Sequence, residues 1–231
     1  GYYIEVLRSP YTCFDARDYG SLLIVDPEEE YYPEEITKLK KDFDTLGLSI
    51  IVFADWYNVS VMKKVKFYDE NTRQWWVPDT GGSNIPALND LLKPWEIAFG
   101  DKVYEGNFKF GSIHDMFYAS GAHIIQFPSK DSLLVKRQLN NQGKEVLESK
   151  SVKEDNIAIL GLHYPHDNVS NKGRIAVYGD SNCLDSAHLQ KDCFWLLEAL
   201  LQFTGTGNIP NVFQPSLDET NAISDEKIDS V

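Results

Sequence analysis

Two short apolar runs, Ser21–Asp26 and Leu48–Ala54, flank a stretch of helical periodicity, and this arrangement restricts the fold more than any other feature of the chain. Between the runs, Ile36, Leu39, Phe43 and Leu46 fall on one face of a helix, and Lys38, Lys40 and Lys41 fall on the other. Pro33 suits a first helical turn, Glu34 and Glu35 sit at the positive end of the helix dipole, and Gly47 is the expected stop. Two strands apolar on all sides, joined through a helix, predict a parallel βαβ unit. Both strands end at acids, Asp26 and Asp55. Ligand groups gather at such carboxyl ends, and an Asp there serves equally well to cap the following turn.

The remaining chain reads as further alternation. A helix is expected to start after Ser60, over Val61–Val65, and Asn71–Gly82 is rich in turn residues. Adjacent Trp75 and Trp76 cannot both face one core from a strand, so one is expected to pack and the other to meet a neighbour. Asn84 caps a short helix through Leu92, broken before Pro94. Residues 98–127 read as two or three strands punctuated by glycines, and 128–156 as loops and edge strands. Strands return at 157–164 and 174–178. A final helix carries Phe194, Trp195, Leu197, Leu200, Leu201 and Phe203, is capped by Asp192 or Ser186, and ends at Gly205. Its apolar residues lie nearly all round, which predicts burial on more than one face. Residues 1–205 are therefore expected to form one α/β domain, and 206–231 an acidic, polar, disordered linker. The chain opens at Gly1 on a strand-like run, Tyr2–Leu7, and is read as a piece of a longer polypeptide.

Charge and cysteine usage bound the function. A net charge of −13 repels a phosphate backbone, so nucleic acid is not an expected partner. No apolar run approaches the roughly 18 residues of a membrane helix, so this segment is not expected to insert into a membrane. Three cysteines are too few for a disulfide scaffold. Two sequons, at Asn58 and Asn168, together with the close pair Cys183 and Cys193, point toward the secretory pathway. Both asparagines are candidate glycosylation sites. A Cys183–Cys193 disulfide would join the turn after a strand to the start of the last helix, leaving Cys13 as a buried free thiol. Pairing of Cys13 with either of the others stays open on sequence alone.

Several motifs suggest catalysis without completing a site. Gly179-Asp180-Ser181-Asn182 resembles the nucleophile block of GDSL hydrolases, and Asp185-Ser186-Ala187-His188 resembles their acid–base block. His188 follows Ser181 by only seven residues, whereas a triad needs its base on a separate element facing the nucleophile. Asp79-Thr80-Gly81 matches a protease triplet, but it occurs once, with neither a His box nor a Gly-Thr-Ser box. His163 and His166 have only Asp167 nearby as a further metal ligand. The sheet order resembles class I glutamine amidotransferase-like and flavodoxin-like folds. The elbow after the second strand is Ala54-Asp55-Trp56, without the cysteine that amidotransferases use.

Longer stretches carry a more specific resemblance. Lys66–Trp76, Pro78–Gly82, Asn84–Asn89, Tyr178–Asp185 and Gln190–Leu197, with the opening Tyr2–Leu7 and Asp55–Asn58, resemble the site-1 protease family of subtilisin/kexin-type endoproteases, over about residues 1–205. The resemblance places this region downstream of the family's catalytic domain, in the lumen of the endoplasmic reticulum or Golgi, within a membrane-anchored protein. It implies a serine endoprotease that cleaves membrane-bound transcription factor precursors of sterol regulation and the stress response after an Arg-x-x-Leu-type sequence. It also implies, as partners, the catalytic domain of the same polypeptide and a lumenal cofactor protein. The expected fold is a three-layer α/β sheet with no active site, no metal and no cofactor. The rival reading is an independent GDSL-like hydrolase using Ser181.

Overall fold

The computed structural model describes residues 1–142, 154–165, 172–185 and 193–213. The expected βαβ unit is present as β1 (Ser21–Val25), α1 (Pro33–Leu46) and β2 (Ser49–Phe53), with β1 and β2 parallel from Ser21 opposite Ser49 to Val25 opposite Phe53. At the start of α1, Glu35 reaches back to accept from the Tyr32 amide at 3.1 Å, and Pro33 fills the first turn. At its end Gly47 adopts φ 78°, the left-handed conformation that releases the chain into β2.

Beyond β2 come α2 (Val59–Met62), a two-stranded hairpin of β3 (Phe67–Asp69) and β4 (Gln74–Trp76), and α3 (Ile85–Leu92). The second half supplies β5 (Ala98–Phe99), β6 (Tyr104–Phe110), β7 (His114–Gly121), β8 (Ile124–Gln126), β9 (Ser132–Asn141), β10 (Glu154–His163), β11 (Ile175–Tyr178) and α4 (Phe194–Thr206). The main sheet runs β1-β2-β11-β10-β9-β6-β7, with β8 pairing β10 and β5 pairing β8. Strands β1, β2 and β11 are parallel; β10, β9, β6 and β7 continue the sheet antiparallel.

The parallel strands are the middle of three layers. Ile50, Val52 and Val177 face Leu39 and Phe43 of α1 and Leu88, Leu91 and Leu92 of α3. Ile51, Phe53, Ala176 and Tyr178 face the other way, onto Leu196, Leu200 and Phe203 of α4. That second core runs on beneath the antiparallel half through Tyr104, Phe110, Met116, Tyr118 and Leu139.

The structure corrects several expectations. β1 is an edge strand: Ile24 is buried, while Leu23 and Val25 are exposed past the end of the α4 layer. Tyr2–Leu7 forms no strand, because its alternating apolar residues meet no sheet edge among the described residues. Residues 132–141 are a long interior strand, neither a loop nor an edge strand. α4 runs past Gly205 to Thr206 and stops at Gly207, at φ 78°. Cys193 stands at its N-cap position, while Ser186 and Asp192 lie outside the described residues. The helix buries one broad face; Phe194 is exposed. Cys183 and Cys193 form a disulfide with Cα atoms 5.3 Å apart, and Cys13 is exposed rather than buried. Neither Trp75 nor Trp76 packs in the core. After α4, Phe213 is buried against Phe110, and residues 214–231 lie outside the described part.

Candidate functional site

The carboxyl ends of β1, β2 and β11 bring Asp26, Asp55 and Asp180 to one edge of the sheet. Asp55 and Asp180 are buried, and Asp26 is more open to solvent. Three residues distant in sequence join them. Ser83 accepts from the Asp55 amide at 2.8 Å and donates its hydroxyl to Asp26 Oδ1 at 3.0 Å. Ser120, at the end of β7, donates to Asp55 Oδ1 at 3.3 Å. Asn182 directs Nδ2 at Asp180 Oδ1 at 2.9 Å, Ser120 Oγ at 3.1 Å and Asp55 Oδ2 at 3.1 Å.

Backbone amides complete the network. The Trp56 amide donates to Asp55 Oδ1 at 2.7 Å, and the Ala119 amide to Asp180 Oδ2 at 2.8 Å. The packing leaves no slack: a Cβ on Gly82 would lie 2.5 Å from Asp55 Oδ2, and one on Gly179 would lie 2.0 Å from the Tyr118 hydroxyl. Glycine is required at both positions by this close approach.

Burial, and then the negative charge of Asp180, push the Asp55 carboxyl up to about 8. Asp55 therefore holds a proton at neutral pH, as expected when burial and a neighbouring carboxylate both disfavour its charged form. The arrangement is a hydrogen-bonded joint, bridged by Asn182, that ties the loop after β2, the end of β7 and the turn after β11.

What this joint can do chemically follows from its members. Where an amidotransferase needs a thiol at the elbow, this chain places Asp55, and Cys183 is sealed in the disulfide. Ser181 is buried, and its neighbour Asp180 is engaged by Ala119 and Asn182. Asp185 is exposed, and His188 lies outside the described residues. His163 sits elsewhere, with Nδ1 within 3.0 Å of the Ser132 hydroxyl, and burial lowers its pKa; His166 is outside the described residues. Asp79 is exposed on the loop that follows β4. Among the described residues no group of three or more His, Cys, Asp or Glu is placed to hold a metal ion.

Of the candidate modification sites, Asn168 lies outside the described residues. Asn58 is half-buried and caps α2: Oδ1 accepts from the Val61 amide at 2.9 Å, and Nδ2 donates to the Asp101 carbonyl at 2.8 Å. Sequence reasoning found Asp26, Asp55 and the Asp180–Asn182 turn but missed Ser83 and Ser120. Ser120 carries no local signal, because it reaches Asp55 only through the curl of the sheet.

Comparison with known proteins accords with this geometry. A family model described as the fourth GATase-like domain of MBTPS1 matches residues 1–218. Membrane-bound transcription factor site-1 protease of Rattus norvegicus is 58% identical over 210 residues, covering 91% of this chain and 20% of that protein. The Homo sapiens protein of the same name matches at the same identity and coverage. Subtilisin-like protease SBT6.1 of Arabidopsis thaliana is 49% identical over 210 residues, 89% of this chain and 20% of that protein. The chain thus spans about a fifth of the length of these curated relatives.

Proposed function

The chain belongs to the family of the fourth GATase-like domain of MBTPS1, and from that premise we propose that it is a non-catalytic, lumenal domain of a site-1-protease-like serine endoprotease. The observation that carries this reading is the joint at the carboxyl edge. Where the fold usually presents a nucleophile, this chain presents a protonated Asp55, sealed by Ser83, Ser120 and Asn182. A buried carboxyl whose hydrogen bonds are all made within the chain rigidifies a fold.

In this reading the protease portion of the same polypeptide supplies the chemistry and cleaves membrane-bound transcription factor precursors in the Golgi. The present domain positions that portion or a lumenal cofactor protein. The Cys183–Cys193 disulfide supports an oxidising compartment. The fold is compatible with an N-linked glycan on Asn58, because attachment would leave one N–H on Nδ2, enough for the bond to Asp101. A glycosidase-sensitive mobility shift lost in Asn58→Gln tests the compartment.

The rival hydrolase reading asks Ser181 to act from a buried position, beside an Asp already committed to backbone amides. Precursor cleavage by full-length protein carrying Ser181→Ala tests the two against each other. The expected rate is within about twofold of the parent. A loss of several orders of magnitude with folding intact overturns the accessory reading.

A further inference from the structure

The excursion between α2 and α3 leaves four large aromatic side chains in solvent together. Phe67 is 53% exposed, Tyr68 48%, Trp75 68% and Trp76 46%. Phe67 stands opposite Trp76 and Tyr68 opposite Trp75, so each face of the β3–β4 ribbon carries one aromatic pair. Val65 and Val77 extend the exposed apolar surface at either end.

The hairpin holds its own shape. Asp69 accepts from the Asn71 amide at 3.1 Å and from the Thr72 hydroxyl at 2.6 Å, and Arg73 closes the turn at φ 54°. Trp76 Nε1 donates to Thr72 Oγ1 at 2.9 Å, and the rings of Tyr68 and Trp75 meet edge to face at 5.5 Å. Its base is pinned to the domain. The Gly82 and Ser83 amides both donate to the Trp56 carbonyl, and α2 buries its Met62 in the domain.

An isolated two-stranded ribbon is marginal in water, and here the turn hydrogen bonds and the anchored base hold it in shape. Several large aromatics on a rigid support, depleted of nothing but a cover, are the composition of an interface centre. Its charge also departs from the rest of the chain. Residues 63–77 carry Lys63, Lys64, Lys66 and Arg73 against Asp69 and Glu70, in a protein with 22 basic and 35 acidic residues. Among the described residues none of these four cations is in an ion pair.

We propose that the β3–β4 hairpin is the docking element that seats this domain on another domain of the same full-length polypeptide, in an apolar recess with an acidic rim. The inference rests on the accessory-domain reading and names its contact surface. Two observations choose the occupant. Four fifths of the length of the curated relatives lies outside the region matched here, so a covalently tethered partner is present at high effective concentration. The four cations, in no ion pair among the described residues, ask for an acidic counterpart. A preformed ribbon also loses little conformational entropy on docking.

The test uses the full-length protein with Trp75 replaced by the photo-reactive amino acid p-benzoylphenylalanine, followed by irradiation and mass-spectrometric mapping of cross-linked peptides. The expected product joins residue 75 to a peptide outside this domain within one polypeptide, and it is lost when Lys63, Lys64 and Lys66 are all changed to Glu. Cross-links to a second copy, to lipid or to a separate protein overturn the proposal, as does absence of any cross-link. These outcomes are independent of Ser181. A positive cross-link with a catalytic Ser181 would keep the docking surface and defeat the accessory reading; no intramolecular cross-link with an inert Ser181 would do the reverse.

Discussion

The turn at Asp55 and the hairpin that follows it depart from ordinary burial in opposite directions. The turn hides two carboxyls in the interior, and the hairpin leaves two Trp, a Tyr and a Phe in solvent. Each buried carboxyl is answered inside the chain, by Ser120, Asn182 and backbone amides. The aromatic ribbon is answered only by itself. The difference separates structural from functional irregularity: a polar group satisfied within the chain serves the fold, whereas apolar surface left unsatisfied needs something outside it.

If that contrast holds, substitutions around the turn should cost folding stability and substitutions in the hairpin should not. The largest loss is expected for the pair Cys183→Ser and Cys193→Ser, which frees the turn behind Asn182 from α4. A short closed loop is worth about 3 kcal/mol, read from denaturant unfolding under oxidising conditions. An unchanged midpoint would show that the staple is superfluous to the joint. Asp180→Ala comes next, at about 2 kcal/mol, because it strands the half-buried Ala119 amide and removes a partner of Asn182.

Asp55 offers a test with a pH signature. The folded chain keeps the Asp55 proton up to about 8, while the unfolded chain releases it near the ordinary value of 3.8. Between those values the folded state binds more protons, so stability is greatest below the unfolded value and falls as pH rises through the folded one. The fall is about 1 kcal/mol per pH unit across that window, and Asp55→Asn should flatten it. A slope that survives in Asp55→Asn would move the proton to another group. The smallest effect belongs to the hairpin: Tyr68→Ser with Trp75→Ser should change unfolding free energy by under about 0.5 kcal/mol. A loss of several times that would mean the ribbon supports the fold, and the comparison would fail.

How much of this was legible in the sequence follows the same division. α1 and α3 announce themselves because one-sided helical periodicity coincides with start and stop residues, Pro33 and Gly47 in one, Asn84 in the other. β9 falls in a stretch that reads as loops and edge strands, because an antiparallel strand with one solvated face spends half its residues on polar side chains. Only Val135, Leu139 and Asn141 of it are buried. Tyr2–Leu7 has the alternation of a strand, but alternation supplies no partner edge. The acids at the strand ends were visible, and their environment was not. Ser120 lies 65 residues from Asp55, and Asn182 lies 127 away, so the network exists only after the sheet has curled. The adjacent tryptophans were recognised as unable to share a core; that both stand outside follows from the hairpin's separation from the main sheet.

The accessory role proposed for this domain requires that it do no bond-breaking chemistry of its own. Labelling the full-length protein with a serine-reactive phosphonate, followed by peptide mapping, addresses it most directly. The account predicts an adduct confined to the protease portion, with the peptide carrying Ser181 unmodified. A stoichiometric adduct on Ser181 would contradict it.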